Sequence, residues 1–370
     1  MSSESPTIGT LVHGLADRFL PQWAEEWDRV GLIVGDSDAG VIGVVVTLDA
    51  TAEAVERAHS AGANVVVTHH PPYLEAPERI GSGPGPAGTV AAAIRRGVAV
   101  ISLHTNLDRA PDGASALSRA LGLMEVAPLE AASEPVVLLV TYAPADAIPS
   151  LRVAMSAAGA GRLGEYEACA FSAEGRGYFD ERANAHPAAR DSGDGVPEVR
   201  LEMIAPPACA DAALAAARAA HPYEEPVVLA VPSRRARGAA RLGRVCVWEG
   251  GTTLGDLAGH VAQTLGVACR VWGDPERPVT RIAVANGSAG SLLEDAAASA
   301  DTLIAGEVRY HDALAASASG LAIIEAGHDA TEWPIVHVLA EAVRDVLGTA
   351  VPVTEEPPAA RWWTMEAPDD

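Results

Sequence analysis

The chain has 370 residues and a mass of 38.0 kDa, which at about 150 residues per domain predicts two or three domains. Hydrophobic residues make up 49% of the sequence and aromatic residues only 4%, so we expect a globular protein with a core of Ala, Val, Leu and Ile. The net charge is −23 and the chain contains Arg but no Lys. This charge argues against broad nucleic-acid binding and against anionic membranes, because both need a basic surface.

The cysteines and the apolar runs exclude two further classes of protein. The four cysteines form no CxxC pair, which argues against a thiolate zinc ribbon and against a disulfide-stapled secreted scaffold. A signal peptide has a basic segment followed by an apolar one, and the N-terminus shows no such pattern. The longest apolar runs, such as Val41–Leu48, are far shorter than the ~20 residues of a membrane helix. We therefore expect a cytoplasmic protein.

In the first third, short β-branched runs alternate with Ala-rich stretches, which predicts βαβ units in a mostly parallel sheet. In chain order the pattern predicts a strand over Val41–Leu48, a helix over Ala52–Ala61 with Thr51 as its N-cap, a strand over Asn64–Val67, a helix over Thr89–Arg96 ended by Gly97, a strand over Val98–Ser102 and a helix over about Gly113–Leu121.

The middle of the chain has a β-α-β-β-α-β rhythm, which predicts a ferredoxin-like α+β unit. The predicted elements are strands over Pro135–Tyr142, Val199–Ile204 and Pro226–Val231, helices over Ala147–Ala158 and Cys209–Ala220, glycine-rich turns at Gly159–Gly164 and Gly175–Gly177, and an exit linker over Ser233–Ala240.

The last third returns to the α/β pattern. It predicts strands over Arg281–Ala285, Thr302–Ile304 and Leu321–Ala326 and helices over Ser291–Ser299 and Glu332–Leu347. The expected fold class is therefore a two-part α/β domain with mostly parallel sheets, interrupted by a ferredoxin-like α+β insert. We expect the two parts at residues 1–132 and 236–370 and the insert at residues 133–235.

His69 and His70 directly follow the second predicted strand and precede two prolines. Adjacent side chains on a strand point to opposite faces, so one site can use both histidines only where the chain leaves the sheet. Pro71 restricts His70 to an extended conformation. The pair is therefore either a metal-binding pair or one buried and one solvated histidine.

His104 and Asp108 follow the next strand in the run His104-Thr-Asn-Leu-Asp108. This run is either a functional segment or a polar turn that is capped by Asn106 or Asp108.

His328 and Glu332 follow the last predicted strand. An i, i+4 pair would share one helix face, as in helical zinc motifs. Because Pro334 fits only the first turn of a helix, we instead expect the helix to begin near Thr331. His328 would then lie on the preceding loop and Glu332 at the helix N-terminus.

All three segments lie just past the carboxyl ends of strands, where open parallel sheets place their ligands. Together they offer two or three imidazoles and two carboxylates without a cysteine, a set that suits Zn, Mn, Fe or Co. Five ligands exceed the three or four that one catalytic zinc takes from protein. A carboxylate that bridges two ions ~3.5–4 Å apart would use all five and could activate a water molecule.

Five motifs that occur in order resemble the Nif-three-like family, whose members are often named GTP cyclohydrolase 1 type 2 homologues. The motifs are Trp27-Asp-Arg-Val-Gly-Leu-Ile-Val-Gly35, Thr68-His-His-Pro71, His104-Thr-Asn-Leu-Asp108, Gly306-Glu-Val-Arg-Tyr-His311 and Gly327-His-Asp-Ala-Thr-Glu332. The resemblance spans both α/β parts. In the middle, His221-Pro-Tyr-Glu-Glu-Pro226 with Gly175-Arg-Gly177 upstream is similar to the PII/CutA-like domain inserted in longer members.

The resemblance implies a dinuclear centre of two divalent metal ions per chain, which could be Zn, Fe, Mn or Co. The implied ligands are His69, His70, Asp108, His328 and Glu332. Glu332 would bridge the ions, and His104 and His311 would lie nearby as candidates for proton transfer. The resemblance also implies a homohexamer whose metal sites face an internal cavity and accept a small-molecule substrate.

The sequence departs from the family pattern in two places. Arg29 stands where the first motif usually has Asn, and Asn286-Gly-Ser-Ala-Gly290 replaces a more glycine-rich loop. Neither departure affects the implied ligands. Backbone N–H groups of Asn286–Gly290 could hold an anion, or this segment could be a tight structural turn.

Two functions from different classes remain open. The first is a metal-dependent hydrolase that attacks a phosphoester or a guanine ring, with His104 or His311 transferring protons. The second is a non-catalytic, metal-binding regulatory hexamer that senses or stores a ligand. A protein-saturated metal site without an open position would favour the second.

Overall fold

The computed structural model describes residues 6–164, 166–180 and 193–357. Contacts divide this part of the chain into two compact units. One contains the described residues up to Ala131 and from Gly238 onward, and the other is Ala132–Arg237. The first unit is thus built from two separate parts of the chain.

The first part of the split unit forms the predicted βαβ pattern. Its elements are α1 (Ile8–Arg18), β1 (Gly31–Val34), β2 (Val44–Asp49), α2 (Ala52–Ser60), β3 (Val65–His70), α3 (Pro86–Arg96), β4 (Ala99–Ser102), α4 (Thr105–Arg109), α5 (Pro111–Ala114), α6 (Ala116–Ala120) and β5 (Met124–Pro128). Thr51 caps α2 as expected, because its hydroxyl accepts a hydrogen bond from the Ala54 amide. Gly97 ends α3 in the left-handed region, with a φ of 62°.

The inserted unit contains β6 (Ser133–Ala143), α7 (Ile148–Ala157), β7 (Phe171–Gly177), β8 (Val196–Ala205), α8 (Pro207–Ala220) and β9 (Val228–Ala236).

The second part of the split unit contains β10 (Arg244–Val247), β11 (Thr252–Thr253), α9 (Leu254–Leu265), β12 (Arg270–Trp272), β13 (Pro278–Val279), β14 (Ile282–Val284), α10 (Leu293–Ser299), β15 (Thr302–Ala305), α11 (Tyr310–Ala318), β16 (Ala322–Glu325), α12 (His328–Leu347) and β17 (Val353–Glu356). Short 3-10 turns occupy Pro21–Trp23, Ala145–Ala147, Gly290–Leu292 and Gly348–Ala350.

Two larger sheets organise the described residues of the split unit. The first has the order β1-β4-β3-β2-β17, and all its pairs are parallel except β1 with β4. The second has the order β12-β16-β15-β14-β10-β5. Its β14-β15-β16 centre is parallel, whereas β12, β10 and β5 pair antiparallel. The expected parallel arrangement therefore holds for the first sheet and for the centre of the second.

Each sheet takes strands from both parts of the chain. The C-terminal strand β17 pairs with β2, and β5 from the first part pairs with β10. Helix α12, from the second part of the chain, also packs against the first sheet. Its Ile335, Val336 and Leu339 are buried in one core with Val46 and Val67 of that sheet. The two parts therefore fold as one unit rather than as two similar domains.

Helix α12 begins earlier than we predicted. It starts at His328, after Gly327, and contains Pro334 in its interior. An interior proline removes one helix hydrogen bond, but other contacts fix the first turn. The Thr331 amide donates to the Gly327 carbonyl, and the Thr331 hydroxyl lies 2.9 Å from the carbonyl oxygens of Gly327 and His328. The i, i+4 pair that we rejected for His328 and Glu332 is therefore present.

The inserted unit has a four-stranded antiparallel sheet with the order β7-β8-β6-β9. When the strands are numbered 1 to 4 within this unit, the order is 2-3-1-4, which is the split βαβ arrangement of ferredoxin-like units. Two predictions for this unit are wrong. Gly175–Gly177 is the end of strand β7 rather than a turn, because it pairs with β8. Ser233–Ala236 belongs to β9 rather than to a linker, because it pairs with Ser133–Val136 of β6.

The two ends of the inserted unit are adjacent, since the Arg237 amide donates to the Ala132 carbonyl at 2.9 Å. We therefore predict that residues 132–237 can be replaced by a short Gly/Ser linker between Ala131 and Gly238. The shortened protein should fold, as judged by circular dichroism, and should bind as much metal as the full chain by elemental analysis. A folded but metal-free product would contradict this reading of the split unit.

Candidate metal centre

The site lies at the carboxyl edge of the first sheet. Strand β2 ends at Asp49 and β3 ends at His70, and these two residues are paired in register. Because parallel strands end at one edge, the last side chains of neighbouring strands meet there. His69 and His70 are both at this edge, with ring centroids 4.9 Å apart. One site can therefore use both histidines.

His69 presents an unsatisfied nitrogen inside the protein. Its side chain is 0% exposed, and its Nδ1 donates to the Leu103 carbonyl at 2.9 Å. Burial lowers the pKa of His69 to about 3, so the ring is neutral and Nε2 keeps its lone pair. This buried Nε2 has no hydrogen-bond partner among the described residues. A buried, unpaired nitrogen is costly, and a metal ion is the kind of partner that would satisfy it.

His70 lies between two carboxylates. Its Nδ1 is 2.9 Å from Asp49 Oδ1, and its Nε2 is 3.0 Å from Glu332 Oε2. Burial alone would lower the pKa of His70, but the hydrogen bond to Asp49 and the adjacent carboxylate of Glu332 outweigh it and raise the pKa to about 10. Asp49 thus fixes the ring orientation, and Nε2 points towards Glu332.

Glu332 is the central carboxylate of the site. It is 5% exposed, its Oε1 lies 3.1 Å from His328 Nε2 and 3.9 Å from His69 Nε2, and three imidazoles therefore approach it. Burial opposes its charge, but the adjacent imidazoles of His328 and His70 hold the pKa of Glu332 well below its ordinary value. The adjacent Glu332 carboxylate also raises the pKa of His328 to about 9.

Asp108 lies on α4, and its carboxylate lies beside His69 in the same cluster. Its Oδ1 is 3.7 Å from His69 Nε2. Burial, reinforced by the charge of Glu332, raises the pKa of Asp108 to about 7. Two neighbouring carboxylates that share a site repel each other, and a cation between them would relieve that repulsion.

His104 is the fourth imidazole of the cluster. It precedes α4, and its ring centroid lies 5.2 Å from that of His69 and 5.5 Å from that of His70. Its Nδ1 is 2.8 Å from Oδ1 of Asp28, whose side chain is fully buried. Burial opposes the charge of Asp28, but hydrogen bonds from His104 and Thr105 lower its pKa to about 2.

The four histidines share one arrangement. In each, Nδ1 is within hydrogen-bond distance of an oxygen; these oxygens belong to Leu103 (for His69), Asp49 (for His70), Asp28 (for His104) and Glu307 (for His328). Histidines that bind metals usually donate their other nitrogen in this way, which fixes tautomer and orientation. Two overlapping groups have ligand atoms within 4.8 Å of one another, namely His69, His70 and His104, and His70, His328 and Glu332. The donor set therefore fits a divalent metal ion.

Two glycines allow the backbone to approach the ligands. Gly287 has a φ of +56°, and a Cβ atom there would lie 2.1 Å from Glu332 Oε1 and 3.1 Å from His328 Nε2. The Gly287 carbonyl accepts a hydrogen bond of 2.7 Å from the Gly306 amide. At Gly306, a Cβ atom would meet the Thr331 hydroxyl at 2.6 Å. Gly287 therefore lies directly against two of the implied ligands, and the expectation that the Asn286–Gly290 segment does not affect them is wrong. This close packing supports the structural alternative for Gly287.

The site opens into a cavity of about 690 Å³, whose lining includes His104, Asp108, His328 and Glu332. This volume is in the range of small-molecule sites. Trp27, Ser288 and Arg309 also line it. Polar ligand atoms are therefore reachable from solvent on one side of the cluster.

The structure brings together six of the seven residues selected from the sequence. The seventh, His311, is exposed on α11. Its ring lies 5.3 Å from that of Tyr310, and no described contact joins it to the other six. Arg29 is also exposed, and its guanidinium donates to the carbonyl of Asp28 at 3.1 Å.

The sequence alone does not identify the residues that orient the candidate ligands. Asp28 stands out only as part of a motif, and Asp49 does not stand out. Asp49 ends a strand parallel to β3, so the rule that selected His70 could also have selected it. No local signal indicated that Gly287 packs against Glu332, because that contact joins residues distant in sequence.

Fold and site together define a class: an α/β protein with a histidine- and carboxylate-rich candidate metal centre at the carboxyl edge of a parallel sheet. The chain belongs to the Duf34/NIF3 (NGG1p interacting factor 3) family, whose model matches residues 6–357. This confirms the resemblance inferred from the five motifs.

Relatives with curated names match nearly the whole chain. A Mycobacterium tuberculosis protein named GTP cyclohydrolase 1 type 2 homolog is 34% identical over 359 residues, which cover 94% of each chain. A Bacillus subtilis protein of the same name is 32% identical over 327 residues, covering 86% of this chain and 88% of the relative.

Solved structures agree in fold. A Bacillus cereus protein related to NIF3 has 28% identity and a TM-score of 0.63, covering 98% of this chain and 100% of that one. A Staphylococcus aureus protein has 25% identity and a TM-score of 0.66, with 99% and 100% coverage. None of the helices within the described residues is long and apolar enough to cross a membrane.

The contact at Gly287 generates a prediction. Gly287→Ala should reduce metal binding strongly, because its methyl group would overlap Glu332 Oε1 and the left-handed backbone disfavours Ala by about 1 kcal/mol. Gly290→Ala is the matched control, because a Cβ atom there meets no atom within 4 Å. Isothermal titration with Zn²⁺ or Mn²⁺ would measure the difference. Equal affinities for the two variants would refute the proposed packing.

Proposed function

We propose that the protein is a metal-dependent hydrolase that acts on a nucleotide or another phosphoester. Two divalent ions per chain, whether Zn, Fe, Mn or Co, would be held by the five ligands His69, His70, Asp108, His328 and Glu332. The observation that carries this proposal is Glu332, a buried carboxylate approached by three imidazole Nε2 atoms.

The geometry of Glu332 supports a bridging role for this residue, because its two carboxylate oxygens face different histidines. Oε2 lies nearest His70, and Oε1 nearest His328. Asp108 reaches the cluster from the His69 side. Five ligands, with Glu332 as the central one, suit two ions better than one.

A pair of bound divalent ions supplies a water molecule activated for nucleophilic attack and a positive centre for the developing charge. The residues of this chain would supply the rest. The cavity holds the substrate against one side of the cluster, and Arg309 and Ser288 offer donors for an anionic group. His104 would accept or return a proton at its free nitrogen.

The cavity favours an enzyme over a closed regulatory metal site. A structural site surrounds its ion with protein ligands, whereas a catalytic site keeps one side open. Here Asp108, His328 and Glu332 all line the cavity. A substrate could therefore reach ions held by these residues.

The proposal is tested by anaerobic purification, elemental analysis and turnover. Metal-loaded protein would be incubated with GTP and with bis(4-nitrophenyl) phosphate, and products would be followed by chromatography and absorbance. We expect two metal ions per chain and metal-dependent release of product from at least one class of substrate. Two bound ions with no turnover of either class would favour the non-catalytic alternative.

Glu332→Gln should lower the metal content from two ions per chain to less than one, because a bridging carboxylate serves both ions. The matched control is Glu341→Gln, an exposed glutamate on the same helix, which should keep both ions. Elemental analysis after gel filtration would measure both variants. Loss of only one ion would show that Glu332 is a terminal ligand.

We further propose that the protein is a homohexamer, on the basis of the family resemblance. The described surface of the split unit includes exposed apolar side chains such as Ile42, Ile94 and Leu314, which could be buried between copies. Light scattering coupled to gel filtration should give about six times the chain mass of 38.0 kDa. A monomer at micromolar concentration would contradict it.

A further inference from the structure

We propose that Asp28 is a positioning residue that holds His104 in one tautomer, so that the Nε2 lone pair of His104 is available to the metal cluster and the cavity. This inference gives a role to the Trp27-Asp28 motif, which supplies none of the proposed metal ligands. The positioning itself follows from geometry, whereas the proton transfer it serves rests on the proposed hydrolase function.

Asp28 is suited to this role because its carboxylate is fixed on both oxygens. Oδ1 accepts from the Arg29 amide at 2.7 Å and faces His104 Nδ1 at 2.8 Å. Oδ2 accepts from the Thr105 amide at 2.9 Å and from the Thr105 hydroxyl. The side chain is 0% exposed. An ionised carboxylate is an acceptor only, so the proton of the shared hydrogen bond lies on His104 Nδ1.

His104 is restrained from other sides as well. The Trp27 ring packs edge-on against its ring, with centroids 5.9 Å apart. The His104 amide donates to Asn106 Oδ1 at 3.0 Å, and Asn106 Nδ2 donates to the Phe19 carbonyl at 2.8 Å. The imidazole therefore has one hydrogen-bonded nitrogen, and in the neutral ring the other nitrogen, Nε2, carries the lone pair.

The arrangement defines what His104 can do. A proton that leaves a water or hydroxyl oxygen can move to His104 Nε2, and its electron pair stays on that oxygen as the nucleophile. The ring then carries one positive charge, which lies against the negative charge of Asp28. Such a carboxylate orients the imidazole and stabilises the imidazolium without taking the proton itself.

Asp28→Ala tests the inference, because it removes the oxygen that accepts from His104 Nδ1. Without that acceptor nothing in the Asp28 side chain holds the ring in the Nδ1–H tautomer. The control is Thr105→Val, which removes a hydroxyl donor to Asp28 but leaves the His104 contact.

The measurement is two-bond ¹⁵N–¹H correlation NMR of the full chain labelled at histidine, with the His104 signals identified by their loss in His104→Gln. We expect the wild type and Thr105→Val to show the Nδ1–H tautomer, and Asp28→Ala, which offers no acceptor to Nδ1, to lose it. Metal content should stay at the wild-type value in Asp28→Ala. The inference is overturned by an Nε2–H tautomer in the wild type or by an unchanged Nδ1–H tautomer in folded Asp28→Ala.

This readout is independent of turnover. If no substrate is hydrolysed but the tautomer behaves as described, the proposed function fails and the positioning role stands. If a substrate is found, Asp28→Ala should lower kcat by about 10²- to 10⁴-fold, the range for losing a general base, with little change in KM. An unchanged kcat would show that His104 is not the base.

Discussion

The packing of α12 against the first sheet is the interaction on which the site depends. Ile335, Val336 and Leu339 are fully buried with the sheet residues Val46 and Val67, and each such side chain stabilises the folded state by about 1.5–3 kcal/mol. Because the helix is fixed by this apolar face, its first turn is fixed as well. That turn carries His328 and Glu332 over the edge at which β3 ends, so a sheet from one part of the chain and a helix from the other share one polar cluster.

Burying Glu332 next to Asp108 would be unfavourable without compensation, because desolvation and like-charge repulsion both oppose ionised carboxylates. The surrounding imidazoles supply that compensation, and they are themselves held by oxygens at Nδ1. Oriented ligands of this kind lose little freedom when an ion binds, which favours tight binding. The missing side chain at Gly287 is needed for the same arrangement, since a Cβ atom there would lie 2.1 Å from Glu332 Oε1.

Much of the fold and most residues of the candidate site could be predicted from the sequence, because β-branched runs mark the strands and polar residues follow their carboxyl ends. The start of α12 could not, because Pro334 is tolerated inside a helix whose first turn is fixed by Thr331. The antiparallel strands at the margins of the second sheet were missed because β5 and β10 are short and pair across the insert. Selecting Asp28 and Asp49 as site residues requires the strand register and the packing of the loops, which a single sequence does not contain.

The pairing of β17 with β2 has a consequence for how the protein is made. Strands β2 and β17 are neighbours in the first sheet although about 300 residues separate them in sequence, so a ribosome must synthesise the chain beyond β17 before that sheet is complete. The histidine pair of β3 is synthesised long before its partners on α12. Until then the early segment has an open strand edge that can pair with other chains. Ions bound only by the completed protein would draw the equilibrium towards this late product, so metal supply would govern the yield of folded protein as well as its chemistry.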